Sequence, residues 1–209
     1  MKQNEKTSKL LISNSQTIST DYIPFLPLFA EIDKRLAKGT LKIAIEGGSA
    51  SGKTTLSNLL SNIYDCTIFH MDDFFLRPEQ RTPERFSEIG GNIDWERFLE
   101  EVLLPLSRNE TVNYRRLNCS SMSLEENIEI IPKNLVIIEG AYSMHPKLKD
   151  YYDFSVFLDI SADLQKERIL HRNSPSMAQR FFEQWIPLEK NYFSEMKIQE
   201  QCNMCITIR

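Results

Sequence analysis

One short stretch near residue 50 constrains the fold of this chain more than any other. The apolar run 41–45 has the length and β-branching of a buried strand. It is followed by Gly47-x-x-x-x-Gly52-Lys53-Thr54, which fits the P-loop pattern G-x-x-x-x-G-K-[ST]. A helix is then indicated by apolar side chains at helical spacing, namely Leu56, Leu59, Leu60 and Ile63. Strand, glycine loop and helix stand in the order that a phosphate-binding cradle requires, which predicts a nucleoside triphosphate ligand.

The residue types of this loop each serve phosphate binding. Glycines let the backbone turn tightly, so that its N–H groups face a polyphosphate, and the following helix directs its positive end at the same anion. Lys53 adds a positive charge near the β- and γ-phosphates, and the Thr54 hydroxyl can bind a magnesium ion. The predicted triphosphate-binding residues are consecutive: Gly47, Gly48, Ser49, Ala50, Ser51, Gly52, Lys53, Thr54 and Thr55.

Composition narrows the class of protein. The chain has 209 residues, of which 41% are hydrophobic and 26% charged, as in soluble globular proteins of one domain or one elaborated domain. A net charge of −4 disfavours a nucleic-acid partner. No stretch is apolar for long enough to span a membrane, and residues 1–20 lack the apolar core of a signal peptide. We therefore expect a cytoplasmic protein, with residues 1–20 as a flexible arm.

Four cysteines in a chain of this length do not form a disulfide framework. Cys202 and Cys205 have C-x-x-C spacing, but neither a second pair nor a nearby histidine completes a zinc site. We predict that both are partly buried thiols of a C-terminal strand rather than metal ligands.

Helical and strand patterns alternate along the chain, which predicts an α/β fold with a central, mostly parallel sheet. Further strands are predicted at 66–71, 135–140, 154–159 and 206–208, and a hairpin at 111–117 and 127–131. Helices are predicted at 22–38, 94–106, 163–172 and 181–194. Residues 77–92 are polar and rich in proline and glycine, so they are predicted to be a loop with little regular structure. Pro187 should break or kink the last helix.

In such sheets, ligands bind beyond the carboxyl ends of the strands. Strands of this chain end at the P-loop, at Asp72 and Asp73, and at Glu139, so these groups should converge. Phosphoryl transfer to a hydroxyl needs a carboxylate that accepts the proton and orients the oxygen. Either aspartate is a candidate, although both can instead cap the next turn. Glu139 can bind magnesium or support the base, or it can be a solvated strand-end carboxylate.

Other candidates leave two interpretations open. Arg168 and Arg172 lie one turn apart and can clamp phosphoryl oxygens, or they can form a solvated helix face. Tyr114 and the arginines after it can belong to an acceptor site or to the hairpin surface. The aromatic residues that can stack on an acceptor base or pack in the core are Phe74, Phe75, Phe86 and Trp95. Among the histidines, His70 is expected near the site, and His145 and His171 at the surface.

Five sequence blocks, in this order and spacing, resemble the uridine kinase family of P-loop kinases, which has relatives acting on nicotinamide riboside, pantothenate and phosphoribulose. The blocks begin at Ile43 (IAIEGGSASGKTT), His70 (HMDDFF), Gly90 (GGNIDW), Val136 (VIIEGAY) and Arg168 (RILHRN). The resemblance implies a P-loop nucleoside triphosphate hydrolase-type three-layer fold. It also implies ATP- and magnesium-dependent phosphorylation of the 5′-hydroxyl of a nucleoside, with uridine or cytidine as the first expectation.

The resemblance also assigns roles by position. It implies that Asp72 is the catalytic base and that Thr54 and Glu139 hold Mg²⁺. The remaining catalytic residues that it implies are Lys53, Arg168 and Arg172, and the acceptor-binding residues are Asp72, Asp94 and Tyr114. We expect a single kinase domain over 21–209, with an acceptor-binding insertion at about 76–132 and a lid at about 163–180.

The segments that would contact the acceptor's ring differ from the family's usual pattern, here Gly90-Gly-Asn-Ile-Asp-Trp95 and Tyr114-Arg-Arg-Leu-Asn-Cys119. The alternatives are therefore the same chemistry on another small alcohol such as nicotinamide riboside, or a nucleotide-binding regulatory module without turnover. The expected partners are ATP and a small-molecule acceptor, without nucleic acid or membrane. Homo-oligomers remain open.

Overall fold

A computed structural model describes residues 20–209 of the chain. All but the last residue of the predicted flexible arm, 1–20, therefore lies outside the described residues. Within residues 20–209, none of the helices combines the length and the apolar character that a membrane crossing would need.

A sheet of five parallel strands forms the centre of the fold. Residues 20–209 contain seven strands: β1 Leu41–Gly47, β2 Cys66–His70, β3 Val112–Asn118, β4 Ser123–Ile130, β5 Leu135–Glu139, β6 Phe154–Ile160 and β7 Met204–Ile208. The order in the sheet is β2-β5-β1-β6-β7, and every pairing is parallel. The prediction of an α/β fold with a central parallel sheet is confirmed.

Helices cover both faces of this sheet. The chain's α-helices are α1 Leu26–Leu36, α2 Lys53–Ile63, α3 Pro83–Ser87, α4 Trp95–Phe98, α5 Leu104–Ser107, α6 Ala162–Arg172, α7 Pro175–Arg180, α8 Ile186–Glu195 and α9 Ile198–Gln201. In β1, Ile43 and Ile45 pack with α1 and α2 on one face, while Ala44 belongs to the cluster on the other face. This alternation produces three layers, because successive side chains of a strand point to opposite faces.

The segment between β2 and β5 is more regular than its composition suggested. The prediction of little regular structure at 77–92 is wrong, since this segment contains a 3-10 turn, Pro78–Gln80, and helix α3. Thr82 caps α3 by accepting a hydrogen bond from the N–H of Arg85, and a proline follows at the first helical position. The predicted hairpin is present as the antiparallel pair β3–β4.

The C-terminal helices form one nearly continuous helical run. A π-helical turn, Phe181–Trp185, joins α7 to α8. Pro187 lies in the first turn of α8, so the predicted break does not occur there. The wider π turn gives room to the proline ring, which would otherwise meet the carbonyl one turn earlier.

Two predictions about individual side chains need correction. His145 is buried, because its ring stacks on Trp95 with centroids 5.5 Å apart. Burial and, to a smaller extent, the nearby positive charge of Arg85 together lower the pKa of His145 to about 4. Of the two C-terminal cysteines, Cys205 lies in β7 and is exposed, whereas the half-buried Cys202 precedes the strand.

The α2 face of the core offers a matched test of packing. Leu60 is fully buried against the sheet, whereas Ile63 on the same helix is 55% exposed. We expect Leu60→Ala to lower the free energy of unfolding by about 2–5 kcal/mol, because it leaves a cavity. Ile63→Ala should cost less than about 1 kcal/mol. Urea denaturation followed by circular dichroism measures both, and equal losses would contradict the assignment of this face to the core.

Candidate active site

The P-loop is held in a conformation that only its glycines allow. Gly47 and Gly52 have φ angles of 147° and 97°, in the region that favours glycine. A Cβ at Gly47 would also lie 2.6 Å from the carbonyl oxygen of Leu158 on the neighbouring strand β6. Gly52 is the N-cap of α2, so the loop passes directly into the positive end of an 11-residue helix.

Lys53 stands at the first position of α2 and reaches back over the loop. Its Nζ donates to the carbonyl oxygens of Gly47 at 2.8 Å and Gly48 at 3.0 Å. The ammonium group is therefore fixed above the turn by two backbone acceptors. An anion bound by the N–H groups of the loop would therefore lie close to the positive charge of Lys53.

Strand register brings two polar side chains to the edge of the sheet beside the loop. His70 and Glu139 are direct partners at the ends of β2 and β5. His70 Nδ1 lies 2.6 Å from Glu139 Oε1, and the Thr54 hydroxyl donates to the same oxygen at 3.1 Å. The hydrogen bond to Glu139 raises the pKa of His70. Thr54 and Glu139, placed together as oxygen donors, form a set that suits Mg²⁺.

Asp72 and Asp73 point to different surroundings. Both lie in the 3-10 turn Met71–Phe74 after β2. Asp72 reaches solvent within a crevice whose walls partly desolvate it, which raises its pKa; Glu139 adds to the rise, and Lys53 opposes it. Asp73 instead pairs with Arg116 of β3, with Oδ2 3.3 Å from Nε. Of the two, Asp72 is the carboxylate whose charge neighbours are those of the P-loop.

The two arginines of α6 approach the site differently. Arg168 donates from Nη1 to the carbonyl oxygen of Ala50 in the P-loop, at 3.2 Å. Arg172 lies on the exposed end of the helix, where its guanidinium is 5.3 Å from the ring of Phe181. Its charge nevertheless lowers the pKa of Asp72. The structure thus brings both arginines to the loop and its crevice, and their catalytic role stays a prediction.

Asp94 and Tyr114, predicted to bind the acceptor, are buried in the wall behind the crevice. Asp94 is 1% exposed and caps α4 by accepting from the N–H of Arg97 at 3.2 Å. Tyr114 is also 1% exposed, and its ring packs against Phe69 and stacks on Phe74 at 5.6 Å each. An acceptor role for either residue is untested.

Sequence reasoning missed a buried carboxylate at the foot of the loop. Glu46 is fully buried, and burial raises its pKa to about 7. Its Oε1 accepts from the N–H groups of Gly47 and Tyr142 at 2.9 and 3.2 Å, and its Oε2 accepts from Met144 N–H and the Tyr192 hydroxyl at 3.0 and 3.2 Å. It thereby ties the P-loop to the turn after Glu139. An acid inside a predicted buried strand was the available signal.

Two further residues that the sequence analysis missed hydrogen-bond to the loop from helices α6 and α8. Glu189 of α8 and Gln165 of α6 are buried, and both hydrogen-bond to Ser49. Burial raises the pKa of Glu189, and Lys53 and Ser49 oppose this rise. Isolated polar residues on helices are usually solvated, so nothing local marked these two.

Comparison with known proteins shows the family of this chain. The family model described as the Phosphoribulokinase / Uridine kinase family matches residues 42–180. Uridine kinase-like protein 5 of Arabidopsis thaliana is 28% identical over 167 residues, which cover 73% of this chain and 35% of that protein, so this chain spans about a third of its length. A uridine kinase of Staphylococcus aureus is 28% identical over 145 residues, covering 66% of this chain and 70% of that protein.

The fold is also that of a solved structure. The structure of a possible uridine kinase from Bacillus stearothermophilus superposes with a TM-score of 0.62 at 20% identity, covering 87% of this chain and 100% of that one. The predicted P-loop type of three-layer fold is confirmed by this likeness together with the family match.

The raised pKa of Glu46 predicts a specific dependence of stability on pH. The folded state binds this proton more tightly than the unfolded chain, so the contribution of Glu46 is greatest below its ordinary pKa of 4.5 and is lost as the pH rises through about 7. Relative to Glu46→Gln, we expect the free energy of unfolding of the parent to fall by about 2 kcal/mol between roughly pH 5 and pH 8.

Chemical denaturation at a series of pH values measures this difference. Glu200→Gln, on the exposed face of α9, is the matched control for the change of charge. A difference between the parent and Glu46→Gln that stays constant over this range would contradict the prediction.

Proposed function

Since the chain belongs to the Phosphoribulokinase / Uridine kinase family, we propose that it transfers the γ-phosphoryl group of ATP, bound with Mg²⁺, to the 5′-hydroxyl of a nucleoside, with uridine and cytidine as the first candidates. The observation that carries the proposal is the convergence of Lys53, Asp72 and Glu139 at one edge of the sheet. A module that only bound nucleotide would have no need of a base among these groups.

Asp72 is the proposed general base. It accepts the proton of the acceptor hydroxyl and orients the oxygen in line with the γ-phosphorus. Partial desolvation raises its pKa, which makes it a stronger proton acceptor than a free aspartate, while Lys53 opposes this rise and favours the ionised form. His70, hydrogen-bonded to Glu139, lies beside the same crevice, and its positive charge when protonated lowers the pKa of Asp72 against the rise that Glu139 causes.

The positive groups stabilise the charge of the transferring phosphoryl group. Lys53 and the N–H groups of the loop bind the β- and γ-phosphates, and Arg168 and Arg172 approach from α6. Thr54 and Glu139 would hold Mg²⁺, which supplies electrostatic neutralisation of the phosphate oxygens. We further propose that residues 163–180 act as the lid and that closing it keeps water from the γ-phosphate.

The first experiment is a panel of acceptors. ADP production is measured with ATP and magnesium against uridine, cytidine, deoxynucleosides, nicotinamide riboside and pantothenate, with a blank that lacks an acceptor. Turnover on a pyrimidine nucleoside well above the blank supports the proposal. Turnover confined to nicotinamide riboside or pantothenate would retain the phosphoryl transfer and change the acceptor. Binding of ATP without turnover on any acceptor would favour the regulatory module.

Substitution of the base separates binding from turnover. We expect Asp72→Asn, measured on the best acceptor of the panel, to lower kcat by about 10²- to 10⁴-fold, because the amide cannot accept the proton. ATP affinity, measured by isothermal titration calorimetry, should stay within about threefold, since Asp72 contributes no group to the predicted cradle. Asp65→Asn, at an exposed position before β2, is the control for the lost charge. Undiminished turnover in Asp72→Asn would contradict the assignment.

A further inference from the structure

One residue of the P-loop is held entirely by side chains from outside the loop. The N–H and hydroxyl of Ser49 donate to the two carboxylate oxygens of Glu189, at 2.9 and 2.5 Å. The carbonyl oxygen of Ser49 accepts from Gln165 Nε2 at 2.8 Å. All polar groups of Ser49 therefore have partners on α6 and α8, and none of these contacts comes from the sheet.

The gripping side chains are themselves buried. Glu189 is 5% exposed and Gln165 is 7% exposed. Glu189 lies between Ile186 and Tyr192 on the inner face of α8, and the structure gives it no ion pair within residues 20–209. Burying a carboxylate without a paired cation is costly. Because both oxygens of Glu189 contact Ser49, its burial serves to hold Ser49 in place rather than to stabilise the fold in general.

The contacts of Glu189 and Gln165 with Ser49 also constrain the residues on either side of it. A Cβ at Gly48 would lie 3.0 Å from Gln165 Nε2 and 3.5 Å from Glu189 Oε2, so the close approach of both helices needs a small residue there. The next carbonyl, that of Ala50, accepts from Arg168 on the same helix as Gln165. The carbonyl groups of two consecutive residues, Ser49 and Ala50, are thus held from the helix side. The N–H of Ser51 donates to the carbonyl oxygen of Gly48 at 3.1 Å, so the N–H groups that can face an anion are those of residues 50 and 52–54.

We propose that Glu189 is a positioning residue for nucleotide binding, which fixes Ser49 so that the N–H groups of residues 50 and 52–54 are preorganised around the phosphates. This inference rests on the proposed function, because it takes ATP as the ligand of the loop. Helix α8 lies beyond the residues 42–180 that the family model matches, so the assignment comes from the contacts of this chain. Preorganisation of this kind lowers the cost of binding without touching the ligand.

Three variants and one control test the role. Glu189→Ala removes the two carboxylate oxygens that accept hydrogen bonds from the N–H and the hydroxyl of Ser49. Glu189→Gln can accept from the Ser49 N–H and donate to its hydroxyl, since a hydroxyl serves as donor or acceptor, so it should restore the grip. Gln165→Ala removes only the third contact and serves if Glu189→Ala does not fold. Glu195→Ala, at an exposed position of the same helix, is the matched control.

Two measurements on the full chain report the result. The dissociation constant of MgATP is measured by isothermal titration calorimetry, and amide hydrogen exchange is followed by NMR at Ser49. We expect Glu189→Ala to weaken MgATP binding about tenfold or more and to speed exchange at Ser49, while exchange at Leu56, whose N–H bonds within α2, is unchanged. Glu189→Gln and Glu195→Ala should stay within about threefold of the parent.

The outcomes separate this inference from the proposed function. If the parent binds MgATP and Glu189→Ala binds it equally well, the positioning role is overturned and the proposed function stands. If Glu189→Gln loses as much affinity as Glu189→Ala, the hydrogen-bond geometry is not what matters and the role is also overturned. If Glu189→Ala does not fold and Gln165→Ala retains the affinity of the parent, the role is overturned as well. If the parent does not bind MgATP at all, the assignment of ATP as the phosphoryl donor is wrong, and the positioning role of Glu189 is overturned together with it.

Discussion

The back of the P-loop is the part on which the rest of the structure depends. The N–H groups that a loop offers to a ligand are not available to hold the loop in place, so its shape must be maintained through its remaining polar groups. Here that support comes from Glu46 below the loop and from Glu189 and Gln165 beside it. The sheet fixes where the loop begins, and the helices fix how it turns.

Parallel strand register explains why the remaining site residues meet. In a parallel sheet every strand delivers its carboxyl end to the same edge. The pairing of His70 with Glu139, and of Ile45 with Glu139, places the three strand ends at one level. Asp72 lies two residues after His70, in the 3-10 turn that follows β2 directly. Its carboxylate is therefore close to the same edge of the sheet and enters the crevice. The parallel topology therefore determines where the site lies, and the individual side chains determine what chemistry it can perform.

The parts of the fold that depend on neighbouring residues could be predicted from the sequence, and the parts that depend on distant contacts could not. The P-loop and the buried strands are local patterns, and Thr82-Pro83 was a local helix start that the loop prediction passed over. Glu189 and Ser49 are 140 positions apart, and the sequence cannot distinguish a buried acid on a helix from a solvated one until the loop that it contacts is placed. His145 is buried for the same reason, because its stacking partner Trp95 is brought by another segment.

The choice of carboxylates for the buried support has a chemical reason. The groups that Glu46 and Glu189 contact are all donors: the N–H groups of Gly47, Tyr142, Met144 and Ser49, with the hydroxyl groups of Ser49 and Tyr192. At Glu46, an amide side chain would have one acceptor atom and would direct an N–H at a backbone donor, whereas an ionised carboxylate accepts through both oxygens and donates nothing. Burial raises the pKa of both Glu46 and Glu189, and the positive charge of Lys53 opposes this rise and so reduces the cost of burying the ionised forms. The lysine that faces the ligand therefore also stabilises the carboxylates that hold the loop.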